Sequence, residues 1–585
     1  MNGKVYPSED PGKYKSFIPL IDAYNEAKLK QIKEYDPEFY AKCVEIIPTA
    51  EELDASPISF MKYNKKLLSP MDFEIVTNYS MQELVAKQIS KELTALSIIN
   101  AYIKSAIISH LITNCAMQFL IPEALAKANY LDKFLSKNNG EVIGPLHGVP
   151  ISIKEHMNYA GKQTCGSYVG CLDNIPRESA INIKILDKLG ANFHIRTSQP
   201  QSLMWLDTAN NIIGRTRNPL STRMSPGGSS GGEGACVASH GSCIGFGGDI
   251  GGSIRVPAAF TNLFGFRPTT RIFSSLNNLG GGKGQETIIV SQGPLARSIE
   301  EIDFFMESFV NKGIPSNYDP SCLPLPWRTP VELPKKIKIG CLFDDNLVTP
   351  FPAISRGMKL VVEKLAENFE LVDLKNYWYS ESEMESIYTN AIACFTSDGN
   401  QTQYDMFEKS GEPILPLTSH YFQFGDNAGK PLSVYDVRML AYERDNLRLD
   451  LYKKFFGRVE DGSLGLDFIL APSYVGPSET PGNSLYWGYT ALWNYVDFPS
   501  CVFPTGLFHE TTTDVLPFSN GGPKLKNNQY EKMVWYGHNE DKINYDPKNY
   551  VGGPIALQLI SRRFADEEVL EGVKKIVDIL NIPRS

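Results

Sequence analysis

The sequence predicts an α/β fold, on three observations. Val149-Pro-Ile-Ser-Ile-Lys154 alternates apolar and polar residues at period two, Ala180 to Leu189 has helical periodicity, and Asn192 to Ile195 reads as a short strand after Gly190. Strand, helix and strand in succession is the pattern of a sheet with helical connections.

The other elements fall in order around that core. Residues 1–75 mix short helical patterns with proline-containing breaks and read as an N-terminal helical extension to a body spanning 76–585. Ser80-Met-Gln-Glu83 has the form of a capping box, in which hydroxyl and carboxylate satisfy free amides at a helix start, and Leu84, Ile89 and Leu93 continue its apolar stripe. Thr94 opens a second helix through Ala101 and Ile108, and a third runs from Pro122 through Leu135. Later come a strand at Ile337–Phe343, an amphipathic helix at Ala353–Glu367, a buried strand at Leu466–Leu470 and a closing helix at Asp566–Leu580. The stretch from about 376 to 465, rich in Tyr, Phe and charge, reads as a helical insertion over the sheet. Asn520–Lys532 reads as an exposed loop.

Composition narrows the function. At ~150 residues per domain, 585 residues suggest about four domains. With Lys+Arg 57 against Asp+Glu 66, the net charge of -9 gives no electrostatic reason to bind nucleic acid. The polar start MNGKVYPSEDPGKYKS lacks an apolar signal region, so the expected location is the cytoplasm. No membrane span is expected: the most apolar run, Ala101–Ile121, is interrupted by Lys104, His110, Asn114 and Gln118. The ten cysteines include no C-x-x-C pair, so no metal site is expected and buried free thiols are.

Eleven of the 29 residues from Ser225 to Ser253 are glycine, where the average would give two or three. Glycine lets backbone approach a reacting group closely, so this density suggests a chain folded around an active centre rather than a linker. Neither G-x-x-x-x-G-K-[ST] nor G-x-G-x-x-G is present, which argues against a nucleotide loop. Gly228-Ser-Ser-Gly-Gly232 fits the G-x-S-x-G elbow of an α/β-hydrolase, with Ser230 as nucleophile and His420, His509 or His538 as its base.

Gly227-Gly-Ser-Ser-Gly-Gly-Glu-Gly-Ala235, ending in Asp249-Ile-Gly-Gly-Ser-Ile-Arg255, resembles the defining stretch of the amidase signature family of serine hydrolases. Gly144-Pro-Leu-His-Gly-Val-Pro-Ile-Ser-Ile-Lys-Glu155, Gly293-Pro-Leu-Ala-Arg-Ser298 and Gly553-Pro-Ile-Ala-Leu-Gln-Leu559 resemble further blocks of that family. The blocks run in order from about Ser80 to the C-terminus. Asn210-Asn-Ile-Ile-Gly-Arg-Thr216 and Trp493-Asn-Tyr-Val-Asp-Phe-Pro499 resemble its fungal acetamidase or general amidase branch.

The resemblance replaces the four-domain estimate with a single large α/β/α domain, a central mixed β-sheet flanked by helices, whose catalytic core spans about 140–300. It implies hydrolysis of a carboxylic amide to the acid and ammonia or an amine, through an acyl-enzyme on Ser253. Ser229 is then the bridging serine, after a cis peptide at Gly228–Ser229, and Lys154 the general base. An unperturbed lysine is protonated at pH 7, so Lys154 has to be buried to serve. The amides of Ile250, Gly251, Gly252 and Ser253 are the expected oxyanion hole, with Ser230, Asp249 and Arg255 as supporting network. Leu203, Met204 and Trp205, with Trp493 and its neighbours Tyr486 and Trp487, are candidates for an apolar acyl pocket. No cofactor is implied; the partners are a small-molecule amide and water, and a homodimer is compatible. Within the family a fatty-acid-amide hydrolase-like or transamidase-subunit activity is an alternative. Outside it stand the Ser230 esterase and, last, a non-catalytic amidase-like binding protein.

Overall fold

Lys154 ends the strand that the alternation marks, and the sheet extends to both sides of it. The computed structural model describes residues 9–582, apart from 56–57, 59, 424–428, 459–461, 517–524 and 538–542. Its strands are β1 (Ala116–Phe119), β2 (Pro150–Lys154), β3 (Asn192–Thr197), β4 (Ala209–Asn210), β5 (Gly214–Arg215), β6 (Ile244–Asp249), β7 (Phe264–Arg267), β8 (Ser291–Ala296), β9 (Lys338–Cys341), β10 (Glu370–Asp373), β11 (Phe468–Pro472), β12 (Ser500–Phe508) and β13 (Pro554–Ile560). β4 and β5 form a small ribbon; the rest form one 11-stranded sheet in the order β1-β3-β2-β6-β8-β7-β12-β13-β11-β9-β10. β2 runs parallel to both β3 and β6, and β9 to both β10 and β11, whereas the remaining neighbours are antiparallel. The sheet is therefore mixed, one large α/β domain with helices around it.

Every residue of β2, β3 and β6 is buried, so the polar positions of the alternation do not face solvent. A sheet covered on both faces buries both sets of side chains, and its polar residues must find partners inside. β6 was not expected as a strand, because Ile-Gly-Phe-Gly-Gly-Asp lacks the β-branched run that marks one. Its glycines serve packing: a Cβ at Gly245 would lie 2.4 Å from Glu233 Oε2, and one at Gly247 2.7 Å from Ser230 Oγ. The helix Gly231–Ala238 can therefore rest directly on the strand.

The N-terminal part differs from the expected short pieces. Pro11–Tyr35 is one helix of 25 residues that passes through Pro19, its start capped by the Asp10 side chain accepting from the Lys13 amide. Tertiary packing carries it past the proline: Ile21 and Tyr24 join the core around Tyr168 and Trp205, and Lys28 Nζ donates to the Ala116 carbonyl at 3.0 Å. The apolar run from Ala101 to Ile121 is not one helix either. Helix Ala95–Thr113 stops at Asn114, whose φ of 58° turns the chain into β1. That helix is long and apolar enough to cross a membrane, but 67% of its apolar window is buried inside the protein.

Between 376 and 465 lie helices Glu381–Phe395, Gln401–Glu408, Pro416–Gln423 and Val434–Leu451, with no strand among the described residues. The expected loop at Asn520–Lys532 lies partly outside the described residues, and its end is helical. Asn528 caps helix Gln529–Tyr536 by accepting from the Glu531 amide, and Val534 and Trp535 anchor it. The cap and the buried aromatic outweigh the loop-like composition.

Candidate active site

Two glycine-rich segments and one strand end bring the family blocks to one place. Lys154 leaves the end of β2, 2% exposed, and its Nζ donates to Ser229 Oγ at 2.7 Å. Burial pushes the lysine down to about 7, against the opposing pull of the carboxyls of Asp249 and Glu233. The peptide Gly228–Ser229 is cis. Only glycine fits at 228, where a Cβ would lie 2.1 Å from the Asp207 carbonyl oxygen.

Ser253 sits in the turn after β6, also nearly buried, and its carbonyl accepts from the Ser230 amide at 3.1 Å. That bond joins the two serine segments. The turn is wound around Asp249, whose carboxylate accepts from the amides of Gly252 (2.8 Å), Ile254 (3.0 Å) and Arg255 (3.3 Å). The Gly252 amide is thereby already engaged, which corrects its expected place among the oxyanion donors. A carboxylate at the head of the turn takes the central N–H; among the described residues no hydrogen bond is recorded for the amides of Ile250, Gly251 and Ser253. Gly252 keeps a steric role, since its φ is 134° and a Cβ there would lie 2.3 Å from Thr490 Oγ1.

Asp249 and Arg255 form a fully buried bidentate pair with contacts of 3.0 Å. Burial alone would raise the Asp249 carboxyl, but the Arg255 guanidinium, the Ile254 amide and Asn494 hold it well below the usual carboxylate range. Arg255 also donates to Thr490 O and Asn494 Oδ1, and Asn494 Nδ2 returns a bond to Asp249 at 2.9 Å. Thr490 and Asn494 were not expected in the network; Asn494 lies within the Trp493–Pro499 block, and Thr490 precedes it without a signal. Ser230 contributes less, its hydroxyl lying 3.5 Å from the Gly248 carbonyl.

Among the described residues, no histidine hydrogen-bonds Ser230. His509 is engaged with the Pro547 carbonyl at 2.8 Å and with Asp514 at 3.4 Å, and His538 lies outside the described residues. Near Lys154, burial pushes His156 down to about 3 and lowers His147, so both are neutral at physiological pH.

Leu203, Met204 and Trp205 line a narrow cavity against Ser253, with Leu206, Ile250, Gly251 and Trp487 completing the wall. Trp493 is absent from that wall. It points into the core beside Trp378, because the helix Gly488–Tyr495 turns the two tryptophans in different directions. The insertion reaches the same cavity. Phe395 packs edge-on against Trp487 and Tyr421 stacks on it at 5.9 Å. Beneath, the loop of Leu203 is tied to that insertion: Gln201 Nε2 donates to Glu412 Oε2 at 2.9 Å, and Gln201 Oε1 accepts from the Leu415 amide. Glu412 also takes the Val169 amide and Asn211 Nδ2. Nothing in the sequence around Glu412 signalled this link.

The family model described as Amidase matches residues 97–570. The chain is 34% identical to an acetamidase of Aspergillus oryzae, over 86% of this chain and 90% of that protein. It is 33% identical to an acetamidase of Emericella nidulans, over 92% and 96%. A solved structure of a fatty acid amide hydrolase superposes with a TM-score of 0.90 at 36% identity, covering 99% of this chain and 98% of that one. The match spans both serine segments, the lysine strand and the sheet that carries them, and on it the chain belongs to the amidase family of amide hydrolases.

Proposed function

We propose that this amide hydrolase works through Lys154, Ser229 and Ser253, and that its substrates carry a short acyl group. The observation that carries the first part is the 2.7 Å contact between a buried lysine and Ser229, on the segment bonded to Ser253. Neutral Lys154 accepts the Ser229 proton while Ser229 accepts that of Ser253, and the Ser253 oxygen attacks the amide carbon. The free amides of Ile250, Gly251 and Ser253 receive the oxyanion. On collapse the C–N bond breaks, the proton returns through Ser229 to the leaving nitrogen, and water then hydrolyses the ester on Ser253. Mass spectrometry of protein incubated with an amide panel tests this. Ammonia release with an acyl mass on the Ser253 peptide is expected; an acyl group on Ser230 instead would favour the esterase arrangement.

The acyl preference rests on the acetamidase relatives and on the wall of the cavity. The cavity lies against Ser253 with Trp487 as one wall, and the likeness to two acetamidases favours a short acyl group there. Trp487→Ala is expected to raise the ratio of hexanamide to acetamide hydrolysis by at least about 10-fold, the scale set by added methylenes in a fitted pocket. An unchanged ratio would remove Trp487 from the pocket. The likeness to a fatty acid amide hydrolase favours a second reading, a long-chain amide, which requires wild-type protein to turn over oleamide faster than acetamide.

A further inference from the structure

Glu233 is a buried acid that the reaction steps leave unused. It stands in the helix Gly231–Ala238, the helix that begins just after Ser229 and Ser230, and its side chain points down onto the sheet. Oε2 accepts from the Ser152 hydroxyl on β2, and Oε1 accepts from the Thr197 hydroxyl on β3 at 2.5 Å. Those two positions frame the lysine. Ser152 precedes Lys154 by two residues and so shares its face of the strand, and Thr197 is the register partner of Lys154 across the parallel pair. The third strand makes room: Gly245 on β6, register partner of Ser152, has no Cβ to strike the carboxyl. One carboxyl thus bridges the strand that carries Lys154 and its neighbour, from the helix that follows Ser229.

We propose that Glu233 is a positioning residue for Lys154, its carboxyl clamping β2 to β3 beside the lysine. This rests on the reading of Lys154 as the base. Burial raises the Glu233 carboxyl to about 8, so at neutral pH it is largely protonated and acts on β2 and β3 through its hydrogen bonds rather than through charge. Of the other ionisable groups around Glu233 and Lys154, Asp249 on β6, paired with Arg255, is the larger carboxylate influence on Lys154, Glu155 accepts from the Cys165 and Gly166 amides, His156 beyond β2 is held neutral, and Cys236 on the same helix is pushed up. On β3, Arg196 donates to Gln118, Gln163 and Thr164, and His194 bonds the Gly241 carbonyl. On the long helix before β1, Lys104 pairs with Asp72, Tyr102 contacts Cys243, and burial holds His110 neutral. β8 carries no ionisable side chain.

Glu233→Leu is the informative variant, because it keeps the bulk but removes both acceptors, so kcat is expected to fall by about 10- to 100-fold with KM little changed. Glu233→Gln keeps one acceptor and is expected to restore most of that loss. Thr197→Val removes one anchor of the clamp, and a fall in kcat of up to about 100-fold is expected with KM little changed. An unchanged kcat in both Glu233→Leu and Thr197→Val would overturn the proposal. Lys154→Ala separates the two levels: full activity there removes the lysine reading itself, whereas loss of activity there with an unchanged kcat in Glu233→Leu removes only the role of Glu233. Should Glu233→Leu fail to fold, Thr197→Val decides.

Discussion

Lys154→Ala lowers kcat for amide hydrolysis by roughly 10²–10⁴-fold, the span of a lost general base, and Ser253→Ala by about 10⁶-fold, as for other lost nucleophiles. The lysine's sign of action is fixed by its surroundings. Burial brings it down to about 7, so the neutral form gains population as pH rises, and kcat/KM climbs with pH and levels off above that value. A limb near 7 would ordinarily suggest histidine. Here His156 is pushed down to about 3 and His147 is lowered, so neither supplies it. The measurement is a pH–rate profile of wild type and Lys154→Ala with acetamide and a more activated anilide. Loss of the acid limb together with the loss of rate identifies the base. A variant that keeps near-normal activity would sink the triad.

Arg255→Met is expected to be the most destabilising single substitution near the site. It leaves the Asp249 carboxylate without its cation and orphans the acceptors on Thr490 and Asn494, in a place with no access to water. Breaking a buried pair from one side costs about 3–5 kcal/mol. The pH dependence follows from Asp249. Its folded-state proton affinity is depressed, so its contribution to stability is present above the unfolded carboxylate value of about 3.9 and is lost as pH falls below it. In the variant the lone carboxyl takes up a proton more readily, and the deficit against wild type shrinks on acidification. Urea midpoints at pH 7 and pH 5 measure this; equal deficits at both would refute it. Activity should fall as well, because the same carboxylate sets the turn that carries the amides of Ile250, Gly251 and Ser253.

The residues proposed to react were legible because they are concentrated in two glycine-dense segments and one strand end, where few other sequences would satisfy the backbone. What sequence could not supply was direction. Trp487 and Trp493 are six residues apart in one aromatic stretch, and only the turn of a short helix sends one to the cavity and the other to the core. The Gly252 amide belongs by position with its neighbours, yet the Asp249 carboxylate claims it. Strands β6 and β8 escaped notice because Gly and Pro occupy places where Val or Ile usually advertise a strand. The 25-residue first helix escaped for the opposite reason, its proline signalling a break that tertiary contacts override. Glu412 and Glu233, which hold distant segments together, carry no local pattern at all.

The link from Gln201 to Glu412 divides the molecule's freedom to vary unequally. The glycine segments admit almost no side chain, so the chemical step has little latitude for change. The cover formed by residues 376–465 supplies Phe395 and Tyr421 above the cavity and, through Glu412, suspends the loop that floors it. Drift in that one segment can therefore reshape roof and floor together while the hydrolytic apparatus stays fixed, which makes it the natural place to diversify or redesign the choice of amide.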